Sequence, residues 1–316
     1  VQTCALPISS DGADSDTLLR HADQAMYAAK QAGRNRYHLF DPENDRRARA
    51  RRDELARIRA GLAKGEFCLH YQPKVDMRKG IVTGAEALIR WQHPERGLLL
   101  PPDFLPAIEG TEMAIEIGEW VINETLRQMN AWRDEHGLEL AISINISGNH
   151  LQHPGFSRRL GELLAKYPAV SPRLIELEVL ETAALEDVAT TAALFTECRK
   201  LGVSFALDDF GTGYSSLSYL KRLPLDILKI DKSFVRGLPS DPDDAAITRA
   251  IIALGRSLQM TVIAEGVETK AQEIFLTSEG CEQIQGYVIS RPLSAESFAA
   301  NFLGPLPIGS AEKAPL

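Results

Sequence analysis

From residue 66 onward, short runs in which apolar and polar residues alternate give way repeatedly to runs with apolar residues three and four apart, the rhythms of strands and helices. Strand patterns fall at 67–75, 81–91, 138–147, 174–181, 203–210, 227–231, 261–266 and 283–289, and helical patterns at 114–136, 156–166, 187–201, 244–258 and 269–279. Eight strands with interleaved helices across 65–304 predict an α/β fold, a modified (β/α)8 barrel, with a doubly wound sheet as its rival. Only residues 76–80 separate the first two strands, a hairpin-length connection that predicts an antiparallel first strand. Upstream, Leu18, Leu19, Ala22, Ala25, Met26 and Ala29 share one face of a helix that stops at Gly33, before a strand-like run at 36–40. One helix and one strand do not make a domain, so 1–43 reads as a remnant. Residues 44–64 carry Arg46, Arg47, Arg49, Arg51, Arg52, Arg57 and Arg59 around a narrow stripe of Leu55, Ile58 and Leu62, which predicts a charged linker helix with a solvated face. Residues 305–316 read as a disordered tail.

Composition narrows the class. With 35 Lys+Arg against 43 Asp+Glu the net charge is −8, which disfavours a general nucleic-acid binder. No apolar run approaches the length of a membrane span, so no membrane segment is expected within the chain. Cys4, Cys68, Cys198 and Cys281 are scattered without zinc or disulfide spacing, which fits a reducing cytoplasm. The opening residues, Val1 to Ser10, match neither a signal peptide nor a recognisable element and read as a truncated edge, so a membrane tether upstream stays open.

Catalytic groups of a barrel sit where its strands end, and polar residues interrupt seven of these strands there. They are Glu86, Asn145, Glu178, the pair Asp208 and Asp209, Lys229 with Asp231, Glu265, and Gln285. Five of the carboxylates would face one mouth, where two like charges 4 Å apart repel by about 4 kcal/mol at an effective dielectric near 20. Either their pKa values rise or divalent cations neutralise them, and a Glu, Asn and Asp set selects Mg²⁺ or Mn²⁺ over zinc. Adjacent aspartates suit two metals, one of them bridging, and paired metals point to phosphodiester hydrolysis. Lys229 would orient the attacking water, and Glu265 would be a metal ligand or general base. The run Phe210-Gly211-Thr212-Gly213-Tyr214-Ser215-Ser216 suits a loop folding over a site, and Arg90 is placed to clamp a phosphate.

Glu86-Ala87-Leu88 with Arg90 resembles the signature of EAL-domain phosphodiesterases, which linearise cyclic di-GMP to pGpG. The resemblance runs from about Arg57 to Leu303 through Gln72-Pro73, Asn145, Glu178, Asp208-Asp209-Phe210-Gly211-Thr212-Gly213-Tyr214-Ser215, Leu228-Lys229-Ile230-Asp231, Ala264-Glu265-Gly266-Val267-Glu268 and Gln285-Gly286-Tyr287. It implies two Mg²⁺ or Mn²⁺ ions on Glu86, Asn145, Glu178, Asp208, Asp209 and Glu265, with Lys229, Glu265 and Glu86 serving catalysis. It further implies that Gln72, Leu88, Arg90 and Tyr214 contact cyclic di-GMP, that Glu181, Glu268 and Thr212 support the glycine-rich loop, and that Gln285 lines the metal site. A homodimer is implied as well. One departure is Leu180, where the family carries Thr in Glu-x-Thr-Glu; the rival function is a catalytically silent cyclic di-GMP receptor. Residues 18–35 are similar to the last helix of GGDEF diguanylate cyclase domains, without that domain's glycine-rich catalytic segment.

Overall fold

Strand β1 (Phe67–Asp76) runs antiparallel to both of its barrel neighbours, β2 (Ile81–His93) and β9 (Gln283–Gln285), and thereby closes a ring. The computed structural model describes residues 15–31, 42–137, 139–212 and 217–303. Between β2 and β9 the ring continues in parallel through β4 (Ala141–Ile146), β5 (Ile175–Leu180), β6 (Ser204–Phe210), β7 (Ile227–Ile230) and β8 (Thr261–Ala264). These eight barrel strands coincide with the eight sequence patterns and exclude the doubly wound sheet. Two short additions, β3 (Gly97–Leu99) on β2 and β10 (Leu293–Ser294) on β1, were not anticipated.

Alternation along the strands sends apolar residues outward to the helices and, toward the mouth, polar ones inward. Ile142 and Ile144 of β4, and Leu177 and Val179 of β5, are fully buried, while Ser143, Asn145, Glu176 and Glu178 take the opposite face of the same strands. On the outside, Phe205 of β6 stacks on Phe195 of the helix Val188–Arg199 with ring centroids 3.8 Å apart. The helices have local start and stop signals. Asp187 and Asp241 cap the helices that follow them, Thr269 and Gln272 form a capping box, and Gly137 at φ 66° ends the helix Glu112–His136.

The chain divides into two compact units, Val1–Ala60 and Gly61–Leu316. The first contains the helix Ser15–Gln31 and most of the helix Pro42–Ala63. The strand-like run at 36–40 and the tail at 305–316 lie outside the described residues. No described helix is long and apolar enough to cross a membrane.

Candidate active site

Six parallel strands and the residue following β8 deliver their polar groups to one mouth. Glu86 comes from β2, Asn145 from β4, Glu178 from β5, Asp208 and Asp209 from β6, Lys229 from β7, Glu265 from just beyond β8, and Gln285 from β9. Consecutive strand residues face opposite ways, so two adjacent aspartates need a break in the ladder to serve one site. That break exists: the β6–β7 register shifts between Leu207 and Phe210, and Asp209 takes φ 53° in the left-handed region.

Lys229 is 1 % exposed and sits among carboxylates. Its Nζ donates to Glu178 Oε2, forms an ion pair with Glu265 Oε1, and lies 3.2 Å from Asp208 Oδ1. Burial works against its charge, but Glu178, Glu265, Glu86 and Asp208 together hold the ammonium well above the usual lysine range. Burial likewise pushes Glu178 and Glu265 up, and the neighbouring carboxylates add to it while Lys229 opposes it. Asp209 is pushed up to about 6 by burial, by Asp208 and by a hydrogen bond with Asp231.

On the β2 side, Glu86 Oε1 accepts from Asn145 Nδ2 and its Oε2 from Gln285 Nε2, both at 2.5 Å. Gln285 Nε2 also donates to Gln72 Oε1 at 3.1 Å, and Gln72 Nε2 donates to the Ser290 carbonyl at 3.1 Å. Leu88 and Arg90 follow Glu86 along the same face of β2. Leu88 is half-buried opposite His70, and the buried Arg90 donates from Nη1 to the Ile89 carbonyl at 2.8 Å.

Glu181 is not the last residue of a strand, as the 174–181 pattern predicts. It opens the helix Glu181–Leu185, because β5 ends at Leu180. From there Glu181 Oε2 accepts the Gly211 N–H at 3.1 Å and Oε1 accepts the Tyr219 hydroxyl at 2.5 Å, so one buried carboxylate ties both ends of the loop after β6. Thr212 Oγ1 donates to the Asp209 carbonyl at 2.9 Å, while Glu268 is exposed and donates its backbone N–H to Gln272 Oε1. Tyr214 lies outside the described residues. Sequence reading missed Tyr219, since a buried aromatic within a one-turn helix has no periodic signal.

Two groups of three carboxylates each offer oxygens within 4.8 Å of one another: Glu86, Glu178 and Glu265, and Asp208, Asp209 and Glu265. Glu265 is common to both groups, and the adjacent Asp208 and Asp209 fall together in the second. Glu178 Oε1 and Gln285 Oε1 are buried without a hydrogen-bond partner. Unpaired acceptors among an all-oxygen set fit a hard divalent cation.

A family model of the EAL domain matches residues 55–292. Among curated proteins, the chain is 43 % identical over 291 residues to the bifunctional diguanylate cyclase/cyclic di-GMP phosphodiesterase MucR of Pseudomonas aeruginosa, covering 92 % of this chain and 42 % of MucR. It is 38 % identical over 288 residues to the cyclic di-GMP phosphodiesterase PdeR of Escherichia coli, covering 91 % of this chain and 43 % of PdeR. The chain therefore spans about two fifths of these relatives. A solved structure of the PaMucR phosphodiesterase in complex with c-di-GMP superposes with TM-score 0.74 at 43 % identity, covering 78 % of this chain and 99 % of that one. With barrel, mouth and sequence in agreement, the chain belongs to the EAL domain family.

Proposed function

We propose that this chain hydrolyses cyclic di-GMP to linear 5′-pGpG, using two Mg²⁺ or Mn²⁺ ions held by Glu86, Asn145, Glu178, Asp208, Asp209 and Glu265. The observation that carries this reading is the pair of carboxylate groups sharing Glu265, with acceptor oxygens left unpaired. Divalent ions bound there would offset the carboxylate charge and stabilise the attacking and leaving oxygens of an in-line displacement. Lys229, held protonated, is a donor and not a base, so its role is to orient the attacking water by hydrogen bonding to its oxygen. Glu265, ion-paired with Lys229 and common to both carboxylate groups, takes the proton of that water as its oxygen bonds to phosphorus. The P–O3′ bond breaks with its electron pair leaving on O3′, which takes a proton from solvent to become the 3′-hydroxyl, and the 5′-phosphate stays on the linear product. Gln72, Leu88, Arg90 and Tyr214 contact the dinucleotide. Glu181, Thr212 and Glu268 support the loop after β6, and Gln285 orients Glu86.

The test incubates purified protein with cyclic di-GMP and Mg²⁺ or Mn²⁺, beside an EDTA control, and separates products by chromatography. Metal-dependent pGpG is expected. Tight binding without product would overturn catalysis in favour of a silent receptor. We further propose a cytoplasmic homodimer, with the helix Ser15–Gln31 as the last helix of a GGDEF domain, the helix Pro42–Ala63 as its linker, and the barrel spanning 65–304. Light scattering of the purified chain tests the dimer, and a monomer mass at micromolar concentration would refute it.

A further inference from the structure

Below the mouth, Lys74 of β1 reaches across the barrel interior. Its side chain is 1 % exposed, and its Nζ donates to Ser143 Oγ of β4 at 2.6 Å and to Glu176 Oε2 of β5. Ser143 Oγ donates in turn to Glu176 Oε2 at 2.6 Å, which closes a triangle. In the sheet, β1 is separated from β4 by β2, and from β5 by β2 and β4, so this contact runs through the lumen and not along the ladder. Gly84 of β2 makes the passage possible: a Cβ there would lie 3.0 Å from Lys74 Cε and 2.7 Å from the Ala141 carbonyl oxygen. Elsewhere on the inner wall Ala206, Ile227 and Ile263 form an apolar cluster.

The register gives the triangle its meaning. Gly84, Ser143 and Glu176 each precede by two residues, on the same strand and face, Glu86, Asn145 and Glu178. Three candidate ligands thus stand directly above the three positions that Lys74 spans. Asp208 and Asp209, on β6 within its register shift, do not.

We propose that Lys74 is a positioning residue, a brace that sets the spacing of Glu86, Asn145 and Glu178 and so tunes one of the two metal positions while leaving the Asp208 and Asp209 position untouched. This rests on the two-metal reading above. A buried ion pair with a merely structural role would affect overall stability or weaken both positions alike. A brace under one half of the site discriminates between them.

The test is calorimetric titration of the full chain with Mn²⁺, without nucleotide, in the wild type, Lys74→Met, the charge-balanced double variant Lys74→Met/Glu176→Gln, and Gly84→Ala, with folding checked by circular dichroism. The double variant guards against misfolding from an unpaired Glu176, and Gly84→Ala displaces the lysine stem while keeping both charges. In each folded variant one Mn²⁺ event is expected to weaken tenfold or more, as loss of residues behind metal ligands commonly does, with the other within twofold of wild type. Two wild-type affinities in the folded double variant, or equal weakening of both events, would overturn the proposal. A wild type that binds no Mn²⁺ would instead sink the two-metal reading, so the two failures are distinguishable.

Discussion

Replacing Lys229 by Met keeps the volume of a fully buried side chain and removes a charge that meets Glu178, Asp208 and Glu265 together. At an effective dielectric near 20, a pair of unit charges 4 Å apart is worth about 4 kcal/mol, and breaking a buried pair by deleting one partner costs about 3–5 kcal/mol. In EDTA the Lys229→Met barrel should lose stability of that order, lowering the melting temperature by roughly 6–20 °C for a domain of this size. The pH dependence has a fixed sign. Glu178 and Glu265 already sit above their ordinary values, and removing Lys229 raises them further, so the stranded carboxylates are tolerated when protonated and resisted when ionised. Stability of the variant relative to wild type should therefore fall as pH rises from 5.5 to 8. The assay is urea denaturation at both pH values in EDTA, paired with cyclic di-GMP turnover by the folded variant in Mn²⁺, where a loss of about 10²–10⁴-fold is expected if Lys229 orients the water. A wild-type midpoint at pH 8 would refute the electrostatic account. Full turnover would refute the catalytic one.

Removing the Tyr219 hydroxyl leaves a buried Glu181 oxygen without this donor, so Tyr219→Phe should cost about 1–3 kcal/mol in urea denaturation, and a cost below 0.5 kcal/mol would show that the loop is not held this way. His150 is held down to about 4 by burial, against 6.5 when unfolded, so its contribution of up to about 3 kcal/mol is complete above pH 6.5 and lost as pH falls toward 4. Denaturation of wild type and His150→Leu across that range should differ in slope, and parallel curves would remove His150 as the cause. A Cβ at Gly286 would meet the Val267 carbonyl oxygen at 2.1 Å, so Gly286→Ala should displace the segment after Glu265, costing about 1–3 kcal/mol and slowing hydrolysis; unchanged melting and turnover would contradict this.

What was legible in the sequence was whatever repeats. Eight strands showed because their outward residues, such as Ile142, Ile144, Leu177 and Val179, recur every second position, and the antiparallel β1 showed because its connection to β2 is too short for a crossover. Polar residues at strand ends pointed to the mouth for the same reason. Single-turn helices such as Gly148–Leu151 and Glu181–Leu185 complete no period, so Glu181 was assigned to the strand before it. The inward turn of Asp209 depends on a register shift that only the paired strand reveals. Lys74 sat within a strand pattern, but its partners Ser143 and Glu176 are 69 and 102 residues away, beyond any local spacing.

The reversed first strand also determines where the barrel accepts added sequence. Gln72 lies opposite Glu86, whereas Asp76 lies opposite both Ile81 and Gln283, at the starts of their strands. The tight turn between them, with Asp76 Oδ1 accepting the Arg78 and Lys79 N–H groups and Gly80 at φ 63°, therefore sits at the end of the barrel remote from the carboxylates. Every parallel strand instead hands its following connection to the rim that holds the carboxylates. A fluorescent reporter or affinity handle spliced between Arg78 and Lys79 would stand at the end away from the carboxylates, which makes this turn a natural port for engineering the barrel.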